Sequence, residues 1–375
     1  MRFAHISDLH LGKRMGEYSL IKDQQYILSQ IIDIIKNTRV NAIIISGDVY
    51  DKTVPSAEAV TLCDDFFTKL STLKIHVFVI SGNHDSAERL SFGSRIMENM
   101  NIHIAPVFDG KLKKVVLKDE YGAVNVYLMP FIKPSSVRRF FPDTEITNYT
   151  DAVRAVIDNT EINTNERNII AAHQFVTGAK RCESEEITVG GLDNVDSSVF
   201  NKFDYTALGH IHTPQTAGKD TIRYCGTPLK YSFSEASDKK SVTILDIFDK
   251  TDITINEIPL TPLFDVRKIK GSYETVTARS NYINTNTNDY VYITLTDEQD
   301  IPGVLAKLRT IYPNIVKMDY DNKRTKTNRH IGAVSEIKKK SPLELFEEFY
   351  ELQNNIPMDD EQKKIVTELI EEIWR

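Results

Sequence analysis

Five short polar motifs each follow directly on a run of apolar, β-prone residues, and that arrangement dictates how the chain can fold. The motifs are Asp8-x-His10, Gly47-Asp48-x-x-Asp51, Gly82-Asn83-His84-Asp85, His173 and Gly209-His210-x-His212. The runs before them cover residues 2–7, 42–46, 77–81, 168–172 and 205–208. Two aspartates, one asparagine and four histidines suited to metal coordination are thus spread from residue 8 to residue 212, too far apart for a local zinc-finger geometry. In open α/β sheets functional groups gather at the carboxyl ends of strands, so a layered α/β fold would bring the five motifs together. The set fits two transition metals held side by side with one carboxylate bridging them, a constellation for breaking phosphate esters.

Between the first three runs lie amphipathic stretches of helix length, about 18–37 and 56–72. In the second, Ala57, Val60, Cys63, Phe67 and Leu70 recur three or four residues apart. Further strands are expected at 124–129, 241–247 and 252–258. Strands alternating with helices predict an α/β domain over 1–260. The character changes around Pro259 and Pro262. Residues 263–335 contain one histidine, His330, and no further ligand motif. There 290–295 and 315–320 read as strands and 301–311 as a helix, which predicts a small α+β domain. A chain of 375 residues has room for these units.

The net charge of −7 argues at first against a nucleic-acid partner, because such proteins usually carry a basic footprint. All of that charge sits in residues 341–375, which hold ten acidic and three basic side chains. The rest of the chain is neutral, and bound divalent cations would add positive charge where a phosphate must sit. Lys323, Arg324, Lys326, Arg329 and residues 338–340 form a basic stretch before the acidic tail, either a solvated linker or an arm that contacts phosphate. Ser341, Pro342 and Glu344 have the pattern of a capping box with proline at the first helical position. Leu345, Phe346, Phe349 and Leu352 then make an apolar stripe, and Asp359 and Asp360 can start a second helix carrying Ile365, Val366, Leu369, Ile370, Ile373 and Trp374. Folding back on the core or docking on a partner helix would each cover these stripes; docking is preferred because the basic stretch sets the tail apart.

Carboxylate and imidazole together suit Mn, Fe or Zn better than Mg or Ca, which prefer all-oxygen shells. The two oxygens of Asp48 can bridge metals about 3.5–4 Å apart, and Asn83 can ligate through its amide oxygen. His5, His76, His103 and His330 fit no motif and read as ordinary. Cys63, Cys182 and Cys225 form no CxxC pair, and no apolar run reaches bilayer length. A cleavable leader would remove Asp8 and His10, so a cytoplasmic protein is expected.

In this order and spacing the motifs resemble those of the calcineurin-like metallophosphoesterase superfamily. Residues 3–13, 46–51 with Pro55, 80–89, 207–212 and 224–232 narrow the resemblance to nuclease subunits that work with an SbcC-like coiled-coil ATPase, and it covers nearly the whole chain. It implies an α/β protein whose core over 1–260 is a two-sheet β-sandwich flanked by helices. Residues 263–335 would be a small DNA-capping α+β domain and 341–375 a helical partner-docking tail. The implied activity is a Mn-dependent DNA nuclease, exonucleolytic on double strands and endonucleolytic on single strands and hairpins, serving DNA recombination, repair and replication. Two Mn2+, or other divalent transition metals, would be the cofactors. Carried over by residue, Asp8, His10, Asp48 and His212 would hold one metal, and Asp48, Asn83, His173 and His210 the other. His84 would contact the scissile phosphate, with the Asp51 carboxylate orienting its ring. A homodimer is also implied, and helices over 56–72 and 88–100 offer Phe66, Phe67, Leu90, Ile96 and Met97 for pairing across a two-fold.

Two other readings share the metal core: a small-molecule phosphodiesterase or nucleotidase, and a binding subunit with a degenerate site. The chain beyond Pro262 speaks against the first and the intact ligand set against the second. Lys52, Thr53 and Asp85 stand where protein phosphatases of the superfamily carry Arg, Gly and Glu, which counts against a phosphatase.

Overall fold

Two six-stranded sheets stack face to face at the centre of the computed structural model, which describes residues 1–179, 194–322, 341–354 and 357–373. The sheets are built from β1 (Arg2–Ile6), β2 (Ala42–Ser46), β3 (His76–Ile80), β4 (Ile102–Ala105), β5 (Lys113–Asp119), β6 (Gly122–Met129), β7 (Arg167–His173), β8 (Tyr205–Gly209), β9 (Gln215–Ala217), β10 (Lys219–Tyr224), β11 (Ser241–Ile247) and β12 (Ile253–Pro259). The first sheet has the order β12-β11-β1-β2-β3-β4 and the second β9-β10-β8-β7-β6-β5. In the first, β1 to β4 run parallel; in the second, β6, β7, β8 and β10 do.

Alternation along the strands explains the layering. Phe3, Ile44, Phe78 and Ile80 point between the sheets and meet Leu128, Ile169, Tyr205 and Ala207 from the other sheet. Ala4, Ile43, Ile45, Val77 and Val79 point outward against α1 (Ile21–Thr38) and α2 (Ala57–Thr72). Strands buried on both faces read as continuous apolar runs, which is why β1, β2 and β3 are plain in the sequence. On the far side, Ile170, Ala172 and Leu208 pack against Ala152, Val153 and Val156 of the helix Tyr149–Asp158. The expected two-sheet core flanked by helices is therefore present.

A third, parallel sheet of Val266–Gly271, Tyr290–Leu295 and Ile315–Tyr320 forms a separate small core with Val276, Val304, Leu308 and Tyr312. It is joined to the main domain by Tyr290, whose hydroxyl donates to Asp23 of α1 at 3.0 Å. The tail forms the helices Pro342–Asn354 and Asp360–Ile373. Glu344 N–H donates to Ser341 Oγ at 3.1 Å and Ser341 N–H to the Glu344 carboxylate at 2.6 Å, the reciprocal cap expected there. Among the described residues no helix is long and apolar enough to cross a membrane. The basic stretch 323–340 and Cys182 lie outside the described residues.

The expected helix over 88–100 is not continuous. Gly93, at φ +73°, separates two single turns, Ala87–Leu90 and Ser94–Met97. Phe66, Phe67 and Leu90 do not face outward: they are buried in the core between helices and sheet, and Met97 packs against it. Of the residues named for a pairing face, only Ile96 is exposed; Phe92 and Met100 are exposed near it in the chain, and Val60 is exposed on α2.

Candidate dimetal centre

Every ligand motif leaves the carboxyl end of a parallel strand. β1 delivers Asp8 and His10, β2 Asp48, β3 Asn83 and His84, β7 His173, and β8 His210 and His212. The loops then brace one another. Asp8 N–H donates to Gly47 O and His10 N–H to Asp48 O, at 3.0 and 2.9 Å. His84 N–H donates to Asp48 Oδ1 at 2.9 Å, and His210 N–H to the Asp8 carboxylate at 3.1 Å. Asp8, His10, Asp48 and His210 hold φ values of +52°, +43°, +48° and +98°. Backbone strain of this kind persists only where the surroundings enforce it, and it collects at functional sites. Close packing enforces it here. A Cβ on Gly82 would collide with the Asp48 carboxylate, and one on Gly209 with Ser46 O and the His173 ring.

The side chains converge as two overlapping groups. His10 Nε2 lies 3.2 Å from His212 Nε2 and 3.7 Å from Asp48 Oδ2. On the other side, Asn83 Oδ1 lies 3.1 Å from His173 Nε2 and 2.9 Å from His210 Nδ1, while His173 Nε2 is 3.5 Å from Asp48 Oδ2. Asp48 thus stands between the groups. Asp8, His10 and His212 offer ligand atoms within 4.8 Å of one another, as do Asp8, Asp48 and His173. The side chains of Asp8, His10, Asp48 and His173 are buried. Their titration is in conflict: burial pushes the Asp8 carboxyl up, aided by Asp48, and drives the His10 imidazole well below its ordinary value. Burial also opposes the charge on His173, yet Asp48 and Asp8 raise it to about 9. Two buried carboxylates amid inward-facing imidazole nitrogens and one amide oxygen form a mixed N/O donor set of the kind divalent transition metals favour. All seven expected ligands meet here.

His84 is partly exposed at the rim, its Nε2 3.9 Å from Asp48 Oδ2. The expected orientation by the Asp51 carboxylate is not what the fold provides. His84 Nδ1 lies 3.0 Å from the backbone carbonyl oxygen of Asp51, whereas the Asp51 carboxylate pairs with Lys13 at 2.7 Å and faces His10 Nδ1 at 3.7 Å. The turn after β2 aims the carbonyl at His84 and sends the side chain the other way.

Sequence reasoning missed two supporting carboxylates. Asp85 accepts from the N–H groups of Val49, Tyr50 and Gly82 at 3.1, 2.9 and 2.9 Å and so ties the loops after β2 and β3 together. Burial and the nearby Asp48 push its carboxyl up to about 6. Glu235 lies behind His212 and pairs with Lys240 at 2.6 Å. Asp85 belongs to the motif Gly82-Asn83-His84-Asp85, and only its bracing role was missed; no spacing signal marks Glu235 or Lys240.

The fold and this centre define a metal-dependent phosphodiester hydrolase of the calcineurin-like phosphoesterase class. Residues 1–214 match the family model for calcineurin-like phosphoesterases, and residues 262–354 the model described as the type 5 capsule protein repressor C-terminal domain. The chain is 34% identical over 357 residues to the SbcD subunit of the nuclease SbcCD from Staphylococcus epidermidis, covering 93% of this chain and 92% of that one. It belongs to the SbcD family. Solved structures similar to it include a dimetal phosphatase from Danio rerio, at 11% identity and TM-score 0.40 over 70% of this chain and 98% of that one. A Thermus thermophilus protein matches at 11% identity and TM-score 0.39, over 68% of this chain and 98% of its own.

Proposed function

We propose that this protein is the nuclease subunit of an SbcC–SbcD-type complex, hydrolysing DNA phosphodiesters with two Mn2+. The observation that carries the reading is the convergence of seven donor side chains from five strands, with Asp48 between the two groups. Asp8, His10, Asp48 and His212 would hold one cation; Asp48, Asn83, His173 and His210 would hold the other. Bound there, two divalent cations would supply Lewis-acid stabilisation of the phosphoryl oxygens and a water acidic enough to act as nucleophile near neutral pH. The protein's own part is positional. Strained loops fix the donors, and the Asp51 carbonyl accepts a hydrogen bond from His84 Nδ1, which leaves Nε2 facing the centre. From there the imidazolium form of His84, with a proton on each ring nitrogen, stabilises charge on the scissile phosphate. It can pass its Nε2 proton to the leaving oxygen, ending as the neutral ring still hydrogen-bonded to Asp51.

The remaining units serve the same substrate and complex. Residues 1–260 are the nuclease domain, and 263–335 cap the DNA above it. Residues 341–375 dock on the coiled coil of an SbcC-like ATPase. Phe346, Phe349, Ile365 and Leu369 are 42–60% exposed on the tail, a surface suited to a helical partner. Homodimerisation uses the exposed apolar residues Phe92, Ile96 and Met100, and the protein acts in the cytoplasm. DNA ends and hairpins are the substrates. Cleavage of a hairpin DNA, measured with and without Mn2+ beside bis-p-nitrophenyl phosphate, tests the reading. Mn-dependent DNA cleavage is expected; hydrolysis of the small diester alone would favour a phosphodiesterase.

A further inference from the structure

The two candidate metal positions are not backed alike. Glu235 has no solvent exposure and Lys240 has 5%. The Glu235 carboxylate accepts from Lys240 Nζ at 2.6 Å, Ser232 Oγ at 3.1 Å, Thr227 Oγ1 at 3.2 Å and Tyr231 N–H at 3.3 Å, and its Oε1 lies 3.7 Å from His212 Nδ1. Lys240 Nζ also donates to the carbonyl oxygen of His212 at 2.9 Å, and Thr227 N–H donates to the same oxygen at 3.0 Å. One buried ion pair therefore grips His212 at both ring and backbone. His10 has no such backing: Asp51 Oδ1 lies 3.7 Å from its Nδ1, too far for a hydrogen bond, and pairs with Lys13 Nζ at 2.7 Å. The two rings point their Nε2 atoms at one another, 3.2 Å apart. On the other side, His173 Nδ1 is held at 2.8 Å by the neutral carbonyl oxygen of Ser46, and the shared neighbour is the neutral amide of Asn83.

A buried ion pair is costly to desolvate and weak evidence of stabilisation by itself, so its placement against a single histidine calls for a reason. A carboxylate behind a ligating imidazole fixes its tautomer, keeps Nε2 free for the metal and raises its basicity; losing one typically weakens metal binding about 10–100-fold.

We propose that Glu235, neutralised by Lys240, is a positioning residue that makes the His10–His212 position the tighter of the two metal positions. The inference rests on the dimetal reading above. It goes beyond that reading by ranking the two positions and by assigning Glu235 and Lys240.

Mn2+ titration of the full chain by calorimetry and electron paramagnetic resonance tests it. The wild-type protein should show two binding events of different affinity. Glu235→Gln should weaken the tighter event about 10–100-fold and leave the weaker one in place. Because that variant strands Lys240, Glu235→Gln combined with Lys240→Met serves as the companion, and it should show the same selective loss with a native circular dichroism spectrum. Asn83→Ala should instead weaken the other event. Unchanged affinity in the folded double variant, or equal weakening of both events, would overturn the proposal. A wild-type protein that binds fewer than two Mn2+ would instead overturn the dimetal reading itself, so the two failures are distinct.

Discussion

The Nδ1 atom of His84 is held 3.0 Å from the backbone carbonyl oxygen of Asp51, while its Nε2 faces Asp48 Oδ2 at 3.9 Å. A backbone acceptor fixes the ring's direction without lending it charge. The side chain at position 51 is then free for Lys13 and His10.

This pair yields the first prediction. His84→Gln should retain both Mn2+ by calorimetry and lose DNA cleavage by about 100–10,000-fold, the usual contribution of a general acid–base group. Asp51→Asn should leave His84 in place and retain most of the cleavage, since the carbonyl remains. Loss of metal in His84→Gln equal to its loss of activity would show that His84 is a ligand.

Much of this centre could be read before any coordinates, for a physical reason. β1, β2, β3, β7 and β8 are covered on both faces, so their apolar runs and the polar residues that end them stand out. Strand β5, Lys-Lys-Val-Val-Leu-Lys-Asp, lies at a sheet edge with alternating exposure, and its charges hid it. The break at Gly93 depends on a left-handed backbone that periodicity cannot reveal. Glu235 reaches His212 through tertiary packing, across a loop whose sequence carries no repeating pattern. The course of the turn at Asp51, which decides between carbonyl and carboxylate, was equally beyond residue spacing.

The second prediction concerns His5, sealed between the sheets with Nδ1 3.0 Å from the Tyr205 hydroxyl oxygen. Burial, aided by Arg223, lowers its pKa to about 3. The unfolded imidazole takes up a proton near pH 6.5, and the folded one does not until about pH 3. The folded state therefore binds fewer protons in that window. His5 contributes stability that is fully present above about pH 6.5 and falls by up to about 1.4 kcal/mol per pH unit below it. Urea unfolding of wild type and His5→Gln at pH 7 and pH 5 checks this: the wild type should lose more stability than the variant between the two. Parallel losses would refute it.

The third prediction concerns the tail. Each large apolar side chain fully buried at a docking surface contributes about 1.5–3 kcal/mol, so Phe346, Phe349, Ile365 and Leu369 offer a substantial share of a partner's affinity. Deleting 341–375 should abolish copurification with an SbcC-like ATPase while leaving Mn-dependent cleavage of single-stranded DNA by the isolated subunit. Retained copurification, or loss of metal on truncation, would place the tail with the core.

If Asp48 joins two metal positions in one hydrolytic centre, Mn2+ electron paramagnetic resonance of wild type and Asp48→Ala will register the link. Two Mn2+ per wild-type chain are expected, with the spectrum of an exchange-coupled pair, and the variant should lose both the coupling and hairpin-DNA cleavage. A single uncoupled Mn2+ in the wild type, or a coupled pair that survives Asp48→Ala, would contradict it.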